Sequence, residues 1–405
     1  MKASAGIVVV GAGVVGCATA LNLARLGQRD VLVLDKDGVA AHASRLSAGL
    51  VRTHYVNLPE ARLALAGLRW FEHWDELVGG SCGFHRTGLL NLVARHDQGR
   101  LRENVAALQE IGVETSLVGP GELCDLEPAL HADQDELAAY EPRSGYADPA
   151  ATTSSLAAAA RSEGVGIEEG VTVTGLQVAG GRVGGVTTTS GDVAAPVVVL
   201  ANGAWSVALA GMVGLEVPIQ PVAIRLAVLA RAGVLRPGPA GHPVLLDHAS
   251  GAYARPDGDR GTLIGLSGLV HPIEGPEAYR LERDQEFERR ARDQVAARLP
   301  CLAGAPIESW RAGPFDLTPD LCAIIDRVPD PDGLYLAVGM SGSGFKKAPA
   351  IGQCVAELIV EGSARTVDIA PFRLGRFASG RQIESRGYSV APEYAALLGS
   401  HDYVH

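Results

Sequence analysis

Hydrophobic positions fall along this chain in two rhythms. Ile7–Val10, Val31–Leu34 and Pro196–Leu200 are short, mostly apolar runs, which predicts strands buried on both faces. Between them lie stretches with apolar residues at helical spacing. Val14–Leu26 is stopped by Gly27, residues 58–78 form the first long helix, and further helices are expected near 99–111 and over Pro149–Ser162. Strands at 170–178 and 183–189 flank a Gly180-Gly181 turn. From 217 to 312 strands alternate with Pro/Gly turns, and the heavily charged 276–298 reads as a solvated helix. Residues 333–361 return to strand, glycine turn and helix, and beyond about 376 the chain is polar and irregular.

The strand–helix texture thus recurs three times, with segments of other character between. The predicted fold is α/β (α+β overall): a discontinuous Rossmann-like nucleotide-binding domain over 1–80, 145–212 and 315–375. An antiparallel-sheet substrate domain, 81–144 and 213–314, is inserted into it, and 376–405 form a C-terminal tail.

Composition narrows the function. With 47% hydrophobic and 20% charged residues the chain is globular, and a formal charge of -11 argues against nucleic acid, which needs basic patches. A locally basic pocket for a small anion remains compatible with it. No charged residue occurs from Ala3 to Ala24, so a signal peptide or membrane span is one reading of this run. Gly6, Gly11, Gly13 and Gly16 interrupt it and a strand follows at 31–35, which favours a βαβ unit and no membrane. The six cysteines are scattered and lack metal-ligand spacing, the pattern of reduced thiols in a cytoplasmic protein with no metal.

Gly11-Ala12-Gly13-Val14-Val15-Gly16 is a GxGxxG between strand and helix. Gly11 permits the tight turn, Gly13 lets a pyrophosphate approach, and Gly16 lets helix pack on strand. The helix start offers N–H groups and a favourable dipole to the phosphates. Asp35 ends the next strand, where a carboxylate holds ribose hydroxyls. The motif alone does not separate NAD from FAD. The segments that follow favour FAD: HASRLSAGLVRTHY (42–55) replaces an ordinary crossover helix, and VVVLANGAWS (197–206) turns back at Gly203. GLYLAVGMSGSGFKKAPAIGQCVAELI (333–359) starts a helix near Phe345, placing N–H groups and Lys346 where they suit an electron-rich flavin edge.

SAGLVRTHY, SGYADPAA (144–151), LANGAWS and TPDLCAIID…GMSGSGFKKAPAIG together resemble the family of D-amino acid oxidase, glycine oxidase and sarcosine oxidase, from the N-terminus to about residue 372. The sarcosine oxidase branch is the nearest pattern. The resemblance implies FAD, contacted by the glycine crossover and by Asp35 and Lys36. It also implies contacts from Ser44, Arg45, Ser47, Ala48 and Gly49, from Val173, and from Ala201, Gly203 and Trp205. Gly342, Ser343, Gly344, Phe345 and Lys346 would close over the flavin. Substrate would be a small amine or amino acid, its carboxylate held by Arg52 and Lys346, with Tyr253 and Phe315 lining its pocket and His54 nearby. Read without the resemblance, Arg52 suits a structural salt bridge, Lys346 a solvated surface, Tyr253 a sheet core and His54 ordinary packing.

Several positions depart from the pattern. Phe315 stands where glycine and D-amino acid oxidases grip the carboxylate with arginine. Gly313 and Leu46 replace the cysteine and histidine that anchor flavin covalently in relatives, which implies non-covalent FAD. Leu263 replaces the lysine that speeds reaction with oxygen, and Ser343 the histidine of the GHGF turn. The expected reaction is hydride transfer from the carbon beside nitrogen to flavin N5, giving an imine. Reoxidation falls to O2, yielding hydrogen peroxide, or to another acceptor. A flavin subunit of a larger complex, or an oligomer, fits the same motifs. An aromatic hydroxylase does not, for want of a GD-x-AH-like motif, and a non-enzymatic sensor leaves Arg52 and Lys346 without a purpose.

Overall fold

The computed structural model describes residues 2–388, apart from 232, 236–237, 239–240, 268–269 and 280–281. The end of GTLIGLSG, and the tail beyond 388, therefore lie outside the described residues.

Three of the fully buried runs form the heart of one sheet. Its six strands lie in the order Ile324–Arg327, Leu334–Val338, Val197–Leu200, Ile7–Val10, Val31–Asp35, Gly166–Glu169. Every pairing is parallel except the one between Ile324–Arg327 and Leu334–Val338 at the edge. Residues buried on both faces, such as Val9 and Val33 to one side and Val8 and Val198 to the other, feed two separate cores. That explains why these strands carry no polar alternation.

Helix Val14–Arg25 packs on this sheet and against helix Gly344–Glu361. The two approach so closely that a Cβ on Gly352 would meet Ala18 C at 2.5 Å and Thr19 N at 2.6 Å. Helix Pro149–Ser162 is started by Asp148, whose carboxylate accepts the Ala150 and Ala151 N–H groups ahead of a first-turn proline.

A nine-stranded sheet draws its strands from 89–141 and 220–317. Its longest pairing runs antiparallel between Gln220–Ala230 and Ile307–Leu317. A short antiparallel sheet holds Val173–Ala179 and Arg182–Thr188, close to the expected bounds.

Two helix readings need correction. Residues 58–78 break at His73 into Leu58–Glu72 and Trp74–Leu77. In 276–298 the helix begins only at Gln285, after the Asp284 cap, and it is not simply solvated. Phe287, Ala291 and Val295 recur every fourth residue and are buried in a core beneath the larger sheet; the surrounding charges hide that stripe.

Candidate cofactor cleft and substrate pocket

Strand Ile7–Val10 delivers the glycine crossover with little freedom. Gly11 sits at φ +107°, and a Cβ there would come within 2.7 Å of Ala201 O. At Gly16 a Cβ would stand 1.9 Å from Gly11 O, so this glycine serves packing and does not line the cleft. Gly13 faces Ser44, whose Oγ accepts the Val14 N–H at 3.0 Å. Asp35 Oδ2 accepts the Ala12 N–H at 2.7 Å, and its Oδ1 accepts those of Asp37 and Gly38 at 2.9 and 2.8 Å. A carboxylate has about four acceptor sites, so capacity is left for hydroxyl donors.

From this crossover runs a cleft of about 470 Å³. Gly13, Val14, Val15, Lys36, Ser44 and Ser47 line one side with Gly11 and Asp35. Val173, Ala201, Gly203 and Trp205 line another, and Phe315, Gly342, Gly344 and Phe345 close the far end. Five other expected contacts, Arg45, Ala48, Gly49, Ser343 and Lys346, stay off its walls. Arg45 is exposed, Ala48 packs beside Tyr253, and Gly49 sits at φ +70° with its Cα side turned to Ala147 O. Ser343 instead turns to Met340 O and to Lys347. Asn202 Oδ1 and His42 Nδ1, on cleft-lining residues, are buried with no hydrogen-bond partner among the described residues. Polar atoms left so are costly unless a bound molecule meets them.

Next to the Gly342–Phe345 turn lies a buried group of basic side chains. Arg52 is 5% exposed, stacks 4.3 Å over the Tyr55 ring and donates to His54 O. Lys346, also 5% exposed, has its Nζ 5.9 Å from the same ring. Burial, then Arg52 and Lys347 close by, hold the Lys346 amine well below its ordinary pKa. Among the described residues no carboxylate forms an ion pair with either side chain, which removes the salt-bridge reading of Arg52 and the surface reading of Lys346. The adjacent Lys347 behaves oppositely: fully buried, it pairs with the equally buried Glu60, and its Nζ lies 2.6 Å from Ser343 Oγ. Tyr253 lies on strand Ala252–Asp257 with its ring against Gly265, where a Cβ would clash at 2.3 Å. His54 is not on the cleft; its Nε2 lies 2.7 Å from Tyr388 Oη.

Sequence reasoning missed Asp316, Glu277, the Glu60–Lys347 pair and Tyr388. Asp316 lines the cleft and accepts the Met340 N–H at 3.0 Å; burial pushes its carboxyl up to about 6. Glu277 lies beside the cleft mouth, accepting from Lys36 Nζ at 2.5 Å and from Trp205 Nε1 at 2.7 Å. A signal existed for Lys347 alone: two successive lysines inside an apolar helix oblige at least one to find a buried acid.

Parallel sheet, glycine crossover and cleft together define a dinucleotide-binding α/β protein. A family model described as FAD dependent oxidoreductase matches residues 6–358, and the chain belongs to that family. It is 27% identical over 419 residues to the mitochondrial sarcosine dehydrogenase of Homo sapiens, covering 99% of this chain and 45% of that protein. To sarcosine oxidase subunit beta of Arthrobacter sp it is 29% identical, over 95% of this chain and 94% of the relative. Among solved structures, L-proline dehydrogenase from P. horikoshii superimposes with TM-score 0.87 at 26% identity, over 94% of this chain and all of that one. The chain spans about half the length of the first curated relatives it matches. FAD is the family's cofactor, and the cleft's glycine cradle, its Asp35 at the end of the second strand and its unmet polar atoms fit it.

Glu277 joins the larger sheet's insertions to Lys36 and Trp205 across the cleft mouth. Removing it in Glu277→Ala is expected to speed FAD loss by several-fold, up to about tenfold, the scale of one charge-assisted hydrogen bond plus an exposed ion pair. The rise of free-flavin fluorescence after dilution measures it, and an unchanged rate would remove Glu277 from cofactor retention.

Among the described residues no helix is long and apolar enough to cross a membrane, and no cluster of three or more His, Cys, Asp or Glu could hold a metal. All six cysteines are free thiols.

Proposed function

We propose that this protein oxidises the C–N bond of a small carboxylate-bearing amine, sarcosine-like or another secondary amino acid. In this reading residues 1–80, 145–212 and 315–375 form the FAD domain, and 81–144 with 213–314 the substrate domain. The observation that carries it is the pair of buried basic side chains, Arg52 and Lys346, beside Tyr55, neither in ion-pair contact with an acid among the described residues. The nearby buried carboxyls are engaged elsewhere, Glu60 by Lys347 and Glu141 by Thr53, and a buried charge is unfavourable without a directly paired counter-charge, which a substrate carboxylate would supply. Arg52 takes it bidentately; Lys346, its proton affinity depressed, recovers full charge as the anion binds.

Bound FAD supplies the two-electron acceptor for a hydride from the carbon beside nitrogen. The chain's own residues hold and orient. Tyr253 and Phe315 give the apolar wall, and anchoring the carboxylate fixes the neutral amine's C–H in a reactive geometry. No protein base is needed if the amine binds deprotonated. FAD is held non-covalently: Leu46 fills the space over Gly313, within 2.8 Å of where a Cβ would lie, and neither position offers a nucleophile.

Leu263 is fully buried in an apolar cluster, with no cation at that position, which favours an acceptor other than O2 over an oxidase. The same reading allows a role as the flavin subunit of a complex, and free thiols suit a reducing, cytoplasmic setting. Anaerobic mixing of the yellow protein with paired amines, with and without a carboxylate, tests it. Flavin bleaching by the carboxylate member alone is expected, with slow recovery on admitting air. Equal bleaching by both members would refute carboxylate recognition.

A further inference from the structure

We infer that Tyr388, carried in by the segment after the last helix, is a positioning residue that sets the Arg52 guanidinium for the substrate carboxylate. The inference rests on the reading of Arg52 given above.

Residues 381–388 form no regular element, yet they are tied down at successive points. Ile383 N–H donates to Asp320 at 3.2 Å, Arg386 N–H to Val56 O at 2.9 Å, and Asn104 Nδ2 to Arg386 O at 3.1 Å. Such anchoring brings Tyr388 to full burial inside the molecule. Its hydroxyl sits 2.7 Å from His54 Nε2 and 3.1 Å from Asn104 Nδ2, and its ring lies 4.8 Å from that of His248.

His54 is the link. Its backbone oxygen accepts from Arg52, so the orientation of residue 54 decides where the guanidinium points. Residue 53 is pinned from the opposite side, its N–H donating to Glu141 Oε2 at 3.2 Å. Among the described residues no other hydrogen bond holds the His54 ring: Nδ1 is buried without a partner. Burial, with His248 and Arg52 near, keeps this imidazole neutral, so the Tyr388 hydroxyl meets a neutral ring and the contact adds direction without adding charge. A geometric tether of this kind acts on binding of the carboxylate and leaves hydride transfer from a bound substrate largely alone.

The test uses the FAD-loaded protein and two plain carboxylates, acetate and benzoate, titrated against the flavin absorbance. The parent should bind both saturably, and Arg52→Lys weakly or not at all. Tyr388→Phe should bind them roughly five- to tenfold more weakly, the scale of one hydrogen bond, and show a matching rise in KM with kcat changed less than about twofold. His54→Gln, which keeps the backbone oxygen, should behave alike, and the double variant should be no worse than either single one. Parent-like carboxylate binding in Tyr388→Phe, alongside loss in Arg52→Lys, overturns the inference and leaves the Arg52 reading standing. If Tyr388→Phe does not fold, undiminished binding in His54→Gln overturns it equally. No carboxylate binding by the parent overturns both.

Discussion

Replacing Arg52 with alanine is expected to lower kcat/KM for a carboxylate-bearing amine by about 10²- to 10³-fold while FAD content stays near that of the parent. The guanidinium is almost wholly shielded from water and lies over Tyr55, and among the described residues it hydrogen-bonds a backbone oxygen and no acid. Removing one member of a desolvated charge pair costs roughly 2–5 kcal/mol, and every 1.4 kcal/mol is about tenfold. Arg52 does not line the cofactor cleft, so flavin occupancy is insulated from the change. Steady-state kinetics with the amine that bleaches the flavin, paired with the absorbance ratio of flavin to protein, give both halves. A drop in FAD content that tracks the lost rate would place Arg52 in cofactor binding instead.

The second large effect concerns stability. Lys347→Met should destabilise the protein by about 3–5 kcal/mol, because it strands Glu60 as an unpaired carboxylate with no exposed surface. Glu60 Oε1 already lacks a partner among the described residues, and the Ser343 hydroxyl, 3.4 Å from Oε2, is a neutral donor that does not replace the lost charge. Adding Glu60→Leu should return much of the loss, since replacing both members of a buried pair with apolar groups is often near neutral. Denaturant midpoints of the parent, the single and the double variant decide it. A single variant as stable as the parent would mean that the two lysines of the helix start are interchangeable, contrary to their opposite surroundings.

What the sequence made legible was whatever is decided locally. The strands, the glycine crossover and helix Pro149–Ser162 depend on residues within a few positions of one another, and they stand where the pattern put them. Gly16 illustrates the limit: the motif marks it, yet its clash partner, Gly11 O, shows that it supports the loop without touching the cleft. Glu277 reaches Lys36 across 241 positions and Lys347 reaches Glu60 across 287, separations at which no periodicity in the chain carries information. Tyr388 was hidden for a further reason. It sits in a stretch whose polarity and lack of rhythm read as loose tail, and its order comes from backbone hydrogen bonds to surfaces built much earlier in the chain.

The central sheet takes its first strand from residue 7 and another from residue 338, interleaved so that Val197–Leu200 stands between them. Translation at roughly 5–20 residues per second puts an interval on the order of tens of seconds between the emergence of the two. The turn at Gly342–Phe345 is the last of the cleft's walls to emerge, so the vitamin-derived coenzyme can be fully enclosed only once the chain has been made to about that point. Shortage of riboflavin would then accumulate empty chains, and their survival against proteases would rest on the packed cores, the interior ion pair and the close helix contact.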